Sequence, residues 1–596
     1  MSIPSVIPSE SSLVTFSIKI DDTTPSGAYA IQSIWVSREI NKIGTAKITI
    51  FDGGYTGLED DFPAANSGLF DPGKKIEIKA GYHSTEEVIF SGIIIKQGIK
   101  LGNDNFYLSI ECKEDAVKMT AVRNNSIFLD KKDSEIIKEL TSKYGLSATI
   151  EATTVKHPEV VQYYCSDWDF IMMRADLNGM VVITDGDKIN VKKPEIKGTA
   201  VVEVENGKSL LSINAEIDSR NQFSKVSSVG WDVSNQKIIK SNSKPVDDQN
   251  IGIESSKLSN VLGSDEYQLQ TGTNVPANLL EAWSTGKLTR SKLSKINGKV
   301  KFIGSSKVLP GTLIKLTGLS KAFNGDAYVT GVEHWIEDGG WVTEAQLGIN
   351  FKSYSEEMPD IEAPSASGML AGIKGLHIGI VKKIHEDKDG QHRIQISYPT
   401  IEKDNLGVWA RLATFYATKD SGAFFVPEVN DEVIVGFINE DPQQPIILGS
   451  VYSSKNAPAY TSEEKNKIKA LVTKSKLTIE FEEEKKIITI KTPGENSIVL
   501  DDDQGSITIL DKNNNKMEMT KDGITFDCAK DFTIKAKGKI NMEATADIMQ
   551  KATGNLKGEG MAVEFKGNTK FAAEGAMAEV KGSGQTVIKG GVVMIN

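Results

Sequence analysis

From about residue 524 onward the chain repeats every eight residues. Apolar side chains fall at Ile524, Phe532, Ile540, Ile548 and Leu556, and the beat returns at Val580 and Ile588. Short alternations fill the intervals, as in Phe532 with Ile534 and Ile540 with Met542. Alternation over a few residues is the pattern of a strand, and a fixed short period is that of a repeat architecture. A single-chain solenoid needs roughly 20 or more residues per coil to wrap a core. Eight residues supply one strand and one turn, which enclose nothing alone. Several identical chains wound about a common axis meet the requirement, each forming one wall of a prism with no lateral sheet edge. The spacing therefore predicts an intertwined, needle-like β-helix over residues 476–596. A Gly-rich slip between Leu556 and Glu579 interrupts the register.

A chain of 596 residues exceeds the roughly 250–300 at which one core stops growing, so several domains are expected. A composition of 39% hydrophobic and 25% charged residues is that of a soluble protein, and a net charge of −11 argues against nucleic acid as partner. Cys112, Cys165 and Cys528 show no CxxC spacing and imply neither a disulfide framework nor a zinc site. The first residues lack the basic and apolar regions of a signal peptide. The most apolar run, Val88 to Ile95, is far shorter than the roughly 20 residues of a membrane span. Residence in the cytoplasm until export by a dedicated machine is the expectation.

The fold class expected is mainly β. Residues 1–365 read as a barrel-containing hub with a few helices, through alternations such as Val14 to Ile20 and Lys75 to Lys79. Helices are expected from Asp133 (as N-cap) to Tyr144, from Ser166 or Asp167 to Asn178, and from Ala277 to Leu293. Residues 366–375 read as a linker, and 376–458 as a small closed barrel of the oligonucleotide/oligosaccharide-binding type. Residues 459–475 read as a connector, with a short helix or irregular stretch beginning at Ser462.

Three stretches together resemble the VgrG spike family of type VI secretion systems and the related hub-spike proteins of phage tails. The first runs from Gly298 through Leu309, Pro310 and Gly311 to Tyr328, His334 and Trp341. The second, and most specific, carries Gly436, Asp441, Pro442, Pro445 and Gly449 within the barrel. The third is the octad needle. The resemblance implies a homotrimer whose hub has two barrel-like subdomains per chain, facing a hexameric, Hcp-like tube protein and held among baseplate proteins. It implies a puncturing needle core of Ile524, Phe532, Ile540, Ile548, Leu556, Val580 and Ile588. It also implies a PAAR-like tip protein with its effectors, seated on Val593, Met594, Ile595 and Asn596. Nothing resembling a fused toxin follows the needle, and no lysozyme-like domain separates it from the barrel. The equivalent spike of a phage tail or extracellular injection particle is the alternative. A β-helix that binds or cleaves envelope polysaccharide is a more distant one.

Candidate chemistry is sparse. His385, Glu386, Asp387, Asp389 and His392 offer five metal-ligand types around Gly390, but Asp and Gly there fit a hairpin turn for backbone reasons. Asp501 to Asp503 do not match a calcium loop, and the consecutive Glu482, Glu483 and Glu484 do not face one another as an acid/base pair does. No nucleophile elbow, Walker loop or zincin motif occurs. The barrel aromatics Trp409, Phe415, Tyr416, Phe424 and Phe425 read as a stacking platform or, more simply, as barrel or trimer core. The reading is a non-enzymatic structural protein with no cofactor, an ion inside the needle being left open.

Overall fold

The computed structural model describes residues 3–6, 13–25, 27, 29–53, 62–102, 105–263, 265–400 and 407–595. The chain divides into two compact units, Met1–Val451 and Tyr452–Asn596. Both are dominated by antiparallel strands, in keeping with the mainly β class.

The first unit is organised by a twelve-stranded sheet. Along its main path Val14–Ile20, Lys75–Tyr82, Thr85–Gly102, Asn105–Lys113, Thr45–Phe51 and Ala30–Glu39 are followed by Gly325–Glu337, Gly340–Leu347, Ile296–Ile303 and Leu210–Ile217. Val202–Glu205 and Leu313–Thr317 complete the second half. Alternation decides which side of each strand is buried. Ile20, Ile48, Ile50, Ile78, Phe90 and Ile110 fill one core, and Val300, Phe302, Ile314, Val329 and Leu347 fill another. Two barrel-like subdomains were expected. The two cores are there, but among the described residues the strands trace one open path and neither half closes alone. The reason is the seam, where Ala30–Glu39 pairs antiparallel with Gly325–Glu337 and sets Trp35 opposite Trp335. That pairing takes the edge the first half would need to close on itself, while the second half ends at Val202–Glu205 and Leu210–Ile217, which do not pair with each other.

Helices gather at one side of the hub. Asp133–Ser142 buries Ile136, Ile137 and Leu140, Asp167–Leu177 buries Phe170 and Ile171, and Ala277–Leu293 carries Leu280 and Leu288 inward. Ser166 caps the second helix, its hydroxyl accepting from the Asp169 amide at 3.0 Å. Asp133 is not the cap of the first. Lys132 holds that position, and the Glu135 carboxylate accepts from its amide at 2.8 Å. The Asp133 carboxylate turns inward instead, accepting from Arg174 Nε at 2.6 Å and Asn178 Nδ2 at 2.8 Å, with His157 Nε2 at 3.0 Å. A buried charge needs partners of this kind, which overrides local capping.

His334, named in the hub motif, lies in the seam strand. Its Nδ1 accepts from Trp341 Nε1 at 3.3 Å and sits 2.9 Å from Thr343 Oγ1, which itself accepts from the Ser305 amide. Nδ1 is thus an acceptor and the ring is neutral. Burial, with Arg38 as a lesser cause, pushes its pKa down to about 3. Because the folded-state value lies below the unfolded one, the unfolded chain takes up the proton first. Stability therefore rises with pH from about 3 to 6.5 and is lost on acidification. Denaturant titrations between pH 6 and 4.5 are expected to show this loss at on the order of 1 kcal/mol per pH unit, and His334→Gln, which keeps an acceptor, should flatten it by about that amount.

Candidate functional site

The second unit begins as a meander of short strands. Ile468–Val472, Thr478–Glu482, Ile487–Lys491, Ser497–Asp501, Ser506–Leu510, Lys516–Thr520 and Gly523–Asp527 pair in sequence order, each antiparallel to the next. The first lies in the stretch read as a connector, and no helix starts at Ser462; alternating Ile468, Ala470 and Val472 pair with the following strand instead. Tight turns at Lys486, Glu495, Gly505 and Asn514 take positive φ and reverse the chain.

The register stacks large apolar residues in two columns on one face. Leu471, Ile479, Ile490, Ile498, Ile509, Met517 and Phe526 form one. Phe481, Ile488, Leu500, Ile507, Met519 and Ile524 form the other. Between them Glu480, Thr489, Val499, Thr508, Glu518 and Thr525 point to the opposite face, as period-two geometry requires. The first column lines a hollow of about 510 Å³ running from Ile490 and Ile498 to Phe526 and Cys528. Within one chain nothing covers them: Ile488 is 37% exposed, Ile498 38% and Ile524 60%. A continuous apolar face of this size marks a surface made to be covered.

Beyond Asp527 the chain changes character. From Ala529 to Ile595 it pairs with no strand of its own, and bends recur at 529, 537, 545, 553, 560, 568, 576, 583 and 591. Phe532, Ile540, Ile548 and Leu556 each stand at the same place after a bend. Where the step shortens to seven, that place passes to Val563 and then Phe571. The octad pattern passes over these two because it holds the period fixed across the Gly-rich stretch, whereas the bends carry the beat through it. Val580 and Ile588 fall one and two residues later than that place, Ile588 matching Ile534. Phe526 packs on Phe532 at 5.7 Å, and Phe565 on Phe571 at 6.5 Å between ring centroids, so aromatic rings of successive repeats meet at both places. All of these side chains are exposed in the single chain, as are Val593, Met594 and Ile595; Asn596 lies outside the described residues.

The barrel closes in the order His377–Lys383, Ile394–Ser397, Val408–Leu412, Pro445–Ser450 and Glu432–Phe437 around Val381, Ile396, Ala410, Val433 and Ile447. Its motif residues build the last hairpin. Gly436 pairs with Ile446, and Gly449 lies opposite Ile434 beside a bulge. Asp441 caps the turn through the Gln443 amide at 2.8 Å ahead of Pro442, while Pro445 opens the final strand, where a missing N–H costs least.

The carboxylate runs carry no site. Asp387 accepts from Arg393 Nη2 at 2.6 Å and from the Gln391 and Arg393 amides, so the loop with His385 and His392 is a self-satisfied turn. Asp501 accepts from the Gln504 amide in a turn, and Glu483 and Glu484 pair with Lys469 and Lys465. Among the described residues no three His, Cys, Asp or Glu side chains converge as metal ligands.

Three family models match the chain. One described as the Alg8 N-terminal domain covers residues 10–338, over half of the chain. One for the type VI secretion system/phage-baseplate injector OB domain covers 377–452, and one for the phage baseplate V C-terminal trimerisation domain covers 487–548. Curated relatives include the spike protein VgrG1b of Pseudomonas aeruginosa, 27% identical over 33% of this chain and 27% of the relative. They also include the actin cross-linking toxin VgrG1 of Vibrio cholerae, 28% identical over 24% of this chain and 14% of the relative. The chain belongs to the family of the Alg8 N-terminal domain, and its barrel and spine match the injector OB and trimerisation models, in keeping with its likeness to VgrG spike proteins. The aligned stretches thus span about a quarter or less of these VgrG relatives. Among solved structures, an Escherichia coli type VI secretion component similar to phage T4 gp27 and gp5 aligns over 73% of this chain and 99% of its own, at 13% identity and a TM-score of 0.37. The VgrG of a Francisella PdpA–VgrG complex aligns over 83% and 79%, at 11% identity and a TM-score of 0.38. At such scores neither likeness adds to the family assignment.

The meander supplies a direct check on whether its apolar face is covered. Ile498→Ala is expected to cost about 2–5 kcal/mol per chain, the cost of emptying a packed interior. An open face would lose under about 1 kcal/mol. Calorimetry of the spine transition reads the difference.

Proposed function

We propose that the protein is the trimeric hub and puncturing spike of a contractile injection machine of the type VI secretion kind. The carrying observation is the pair of uncovered apolar columns, continued by an extended ribbon that pairs with no strand of its own. Backbone N–H and C=O groups demand partners, and large apolar faces demand cover. Two further copies of the same chain answer both demands. Their columns meet around a common axis, and their ribbons supply the missing ladder.

The match of residues 487–548 to a trimerisation domain supports this arrangement. Burying each large side chain contributes roughly 1.5–3 kcal/mol, repeated in three chains at every level. A prism held this way is stiff, which suits a part that concentrates thrust on a small area of envelope. In this reading the hub faces a hexameric, Hcp-like tube among baseplate proteins. The far end, at Val593 to Asn596, presents a PAAR-like tip protein with its effectors. The chain's own role is structural and mechanical; the named VgrG relatives are spike proteins in the main, and the loops richest in acid and histidine here are occupied with turns. No helix among the described residues is long and apolar enough to cross a membrane, so passage into a target falls to the machine's stroke.

Ile540→Asp places three carboxylates close to the axis and is expected to abolish the trimer while leaving the hub folded. Native mass spectrometry showing that variant still trimeric would refute the packing proposed here.

A further inference from the structure

A second uncovered apolar surface lies on the barrel. Between Leu412 and Val426 the chain leaves the barrel as a small arm, with strands Ala417–Thr418 and Ser421–Gly422. The Ala423 amide donates to Tyr416 O at 2.9 Å and ties its base. Gly422, at φ 139°, lets the returning leg pass where a Cβ would stand 2.7 Å from Tyr416 O. The arm's geometry is therefore specific, and it displays four aromatic rings. Phe415 and Phe424 are each 88% exposed, with Tyr416 and Phe425 also largely bare.

Under the arm runs a groove of about 680 Å³ whose apolar lining includes Ile384, Ile394, Leu412 and Val426. Its titratable lining groups are His392, Tyr416 and Asp420. A phosphate backbone calls for Lys or Arg, and none lines it. Tyr416, Phe424 and Phe425 line the groove, whereas Phe415 does not. Knob and hole are thus different surfaces of one chain, the condition for a head-to-tail contact that closes into a ring.

Four rings at these exposures leave on the order of 500 Å² of aromatic surface uncovered. That is more than half of the about 800 Å² one partner brings to a standard interface. Residues 451–467 separate the last barrel strand from the first spine strand. Barrels of chains that share one spine meet as an intramolecular encounter, at effective concentrations on the order of millimolar. A modest contact then suffices.

We propose that the arm is a clasp between protomers. Phe415 of one copy seats in the Ile384–Ile394–Leu412–Val426 groove of the next, and three such contacts close a ring of barrels. This rests on the trimer proposed above and adds a second, independent belt to it.

The test is carried out on the full chain with Phe415→p-benzoyl-phenylalanine. After ultraviolet exposure, denaturing gels are expected to show covalent dimers and trimers, with adducts mapped to 384–394 or 412–426 of another copy. A protein trimeric by native mass that gives only intrachain adducts, or adducts elsewhere, overturns the clasp and leaves the trimer standing. A monomer by native mass overturns the trimer itself. Peptidoglycan fragments that suppress the adduct would mark the groove as a sugar site and also overturn the clasp. The double variant Phe415→Ser with Phe424→Ser should remain trimeric through its spine while amide exchange in 414–426 quickens at least tenfold. Unchanged exchange would count against the proposal.

Discussion

The structure turns on a sheet that is finished on one face only. Strands of five residues, joined by tight turns, can place two apolar side chains inward and no more. Seven of them stacked in register yield two columns, from Leu471 to Phe526 and from Phe481 to Ile524, with nothing within the chain to lie against them. A wider strand or a crossover helix would let a single chain fold back over such a face. Neither occurs in the meander, so its apolar face stays uncovered within one chain. The ribbon after Asp527 takes the same logic further: it gives up intrachain pairing altogether while keeping a bend about every eight residues.

The hub solves its problem differently. Its two apolar cores are each enclosed by strands from distant parts of the chain, and the pairing of Ala30–Glu39 with Gly325–Glu337 welds them into one body. Buried charges are neutralised in place. Arg38 Nε lies 3.1 Å from Glu114 and its Nη2 2.8 Å from Asp185, while Gly44 N donates to Glu114 at 3.0 Å. Burial pushes the Glu114 carboxyl upward, and Arg38, Thr184 and the backbone amides of Gly44 and Gly186 offset only part of that shift. Such groups are costly to strand, so they tie strands and loops to one geometry rather than adding much net stability. The hub thus encloses its apolar surface within one chain, whereas the spine leaves its own uncovered.

How much of this was legible in the sequence depends on which signals are local. The octads are a strict period, and the family resemblance rests on contiguous stretches such as Gly436 to Gly449. The helix from Ala277 to Leu293 has Pro276 just before it and Asn297 with Gly298 just after its end, and it is found there. The meander columns were harder. In an antiparallel stack the inward residues step unequally, from Ile479 to Ile490 to Ile498 to Ile509, so no one fixed spacing picks them out. Asp133 reads as an N-cap until Arg174 and Asn178 of a later helix claim its carboxylate. The hub seam joins residues 300 positions apart, Trp35 and Trp335, and no local pattern announces it. For the same reason the barrel's aromatics could be noticed but not sorted, since only the folded arm shows Phe415 outside the groove that Phe424 and Phe425 line.

Hydrogen exchange on the intact protein tests the shared spine most directly, because it reads the backbone partners that a single ribbon lacks. The amides from Phe532 to Ile588 are predicted to be protected for hours at assembling concentrations, and to lose that protection together when Ile540→Asp keeps the chains apart. Free exchange of these amides in a protein that sediments as a trimer, or protection of the ribbon in a monomer, would contradict the account.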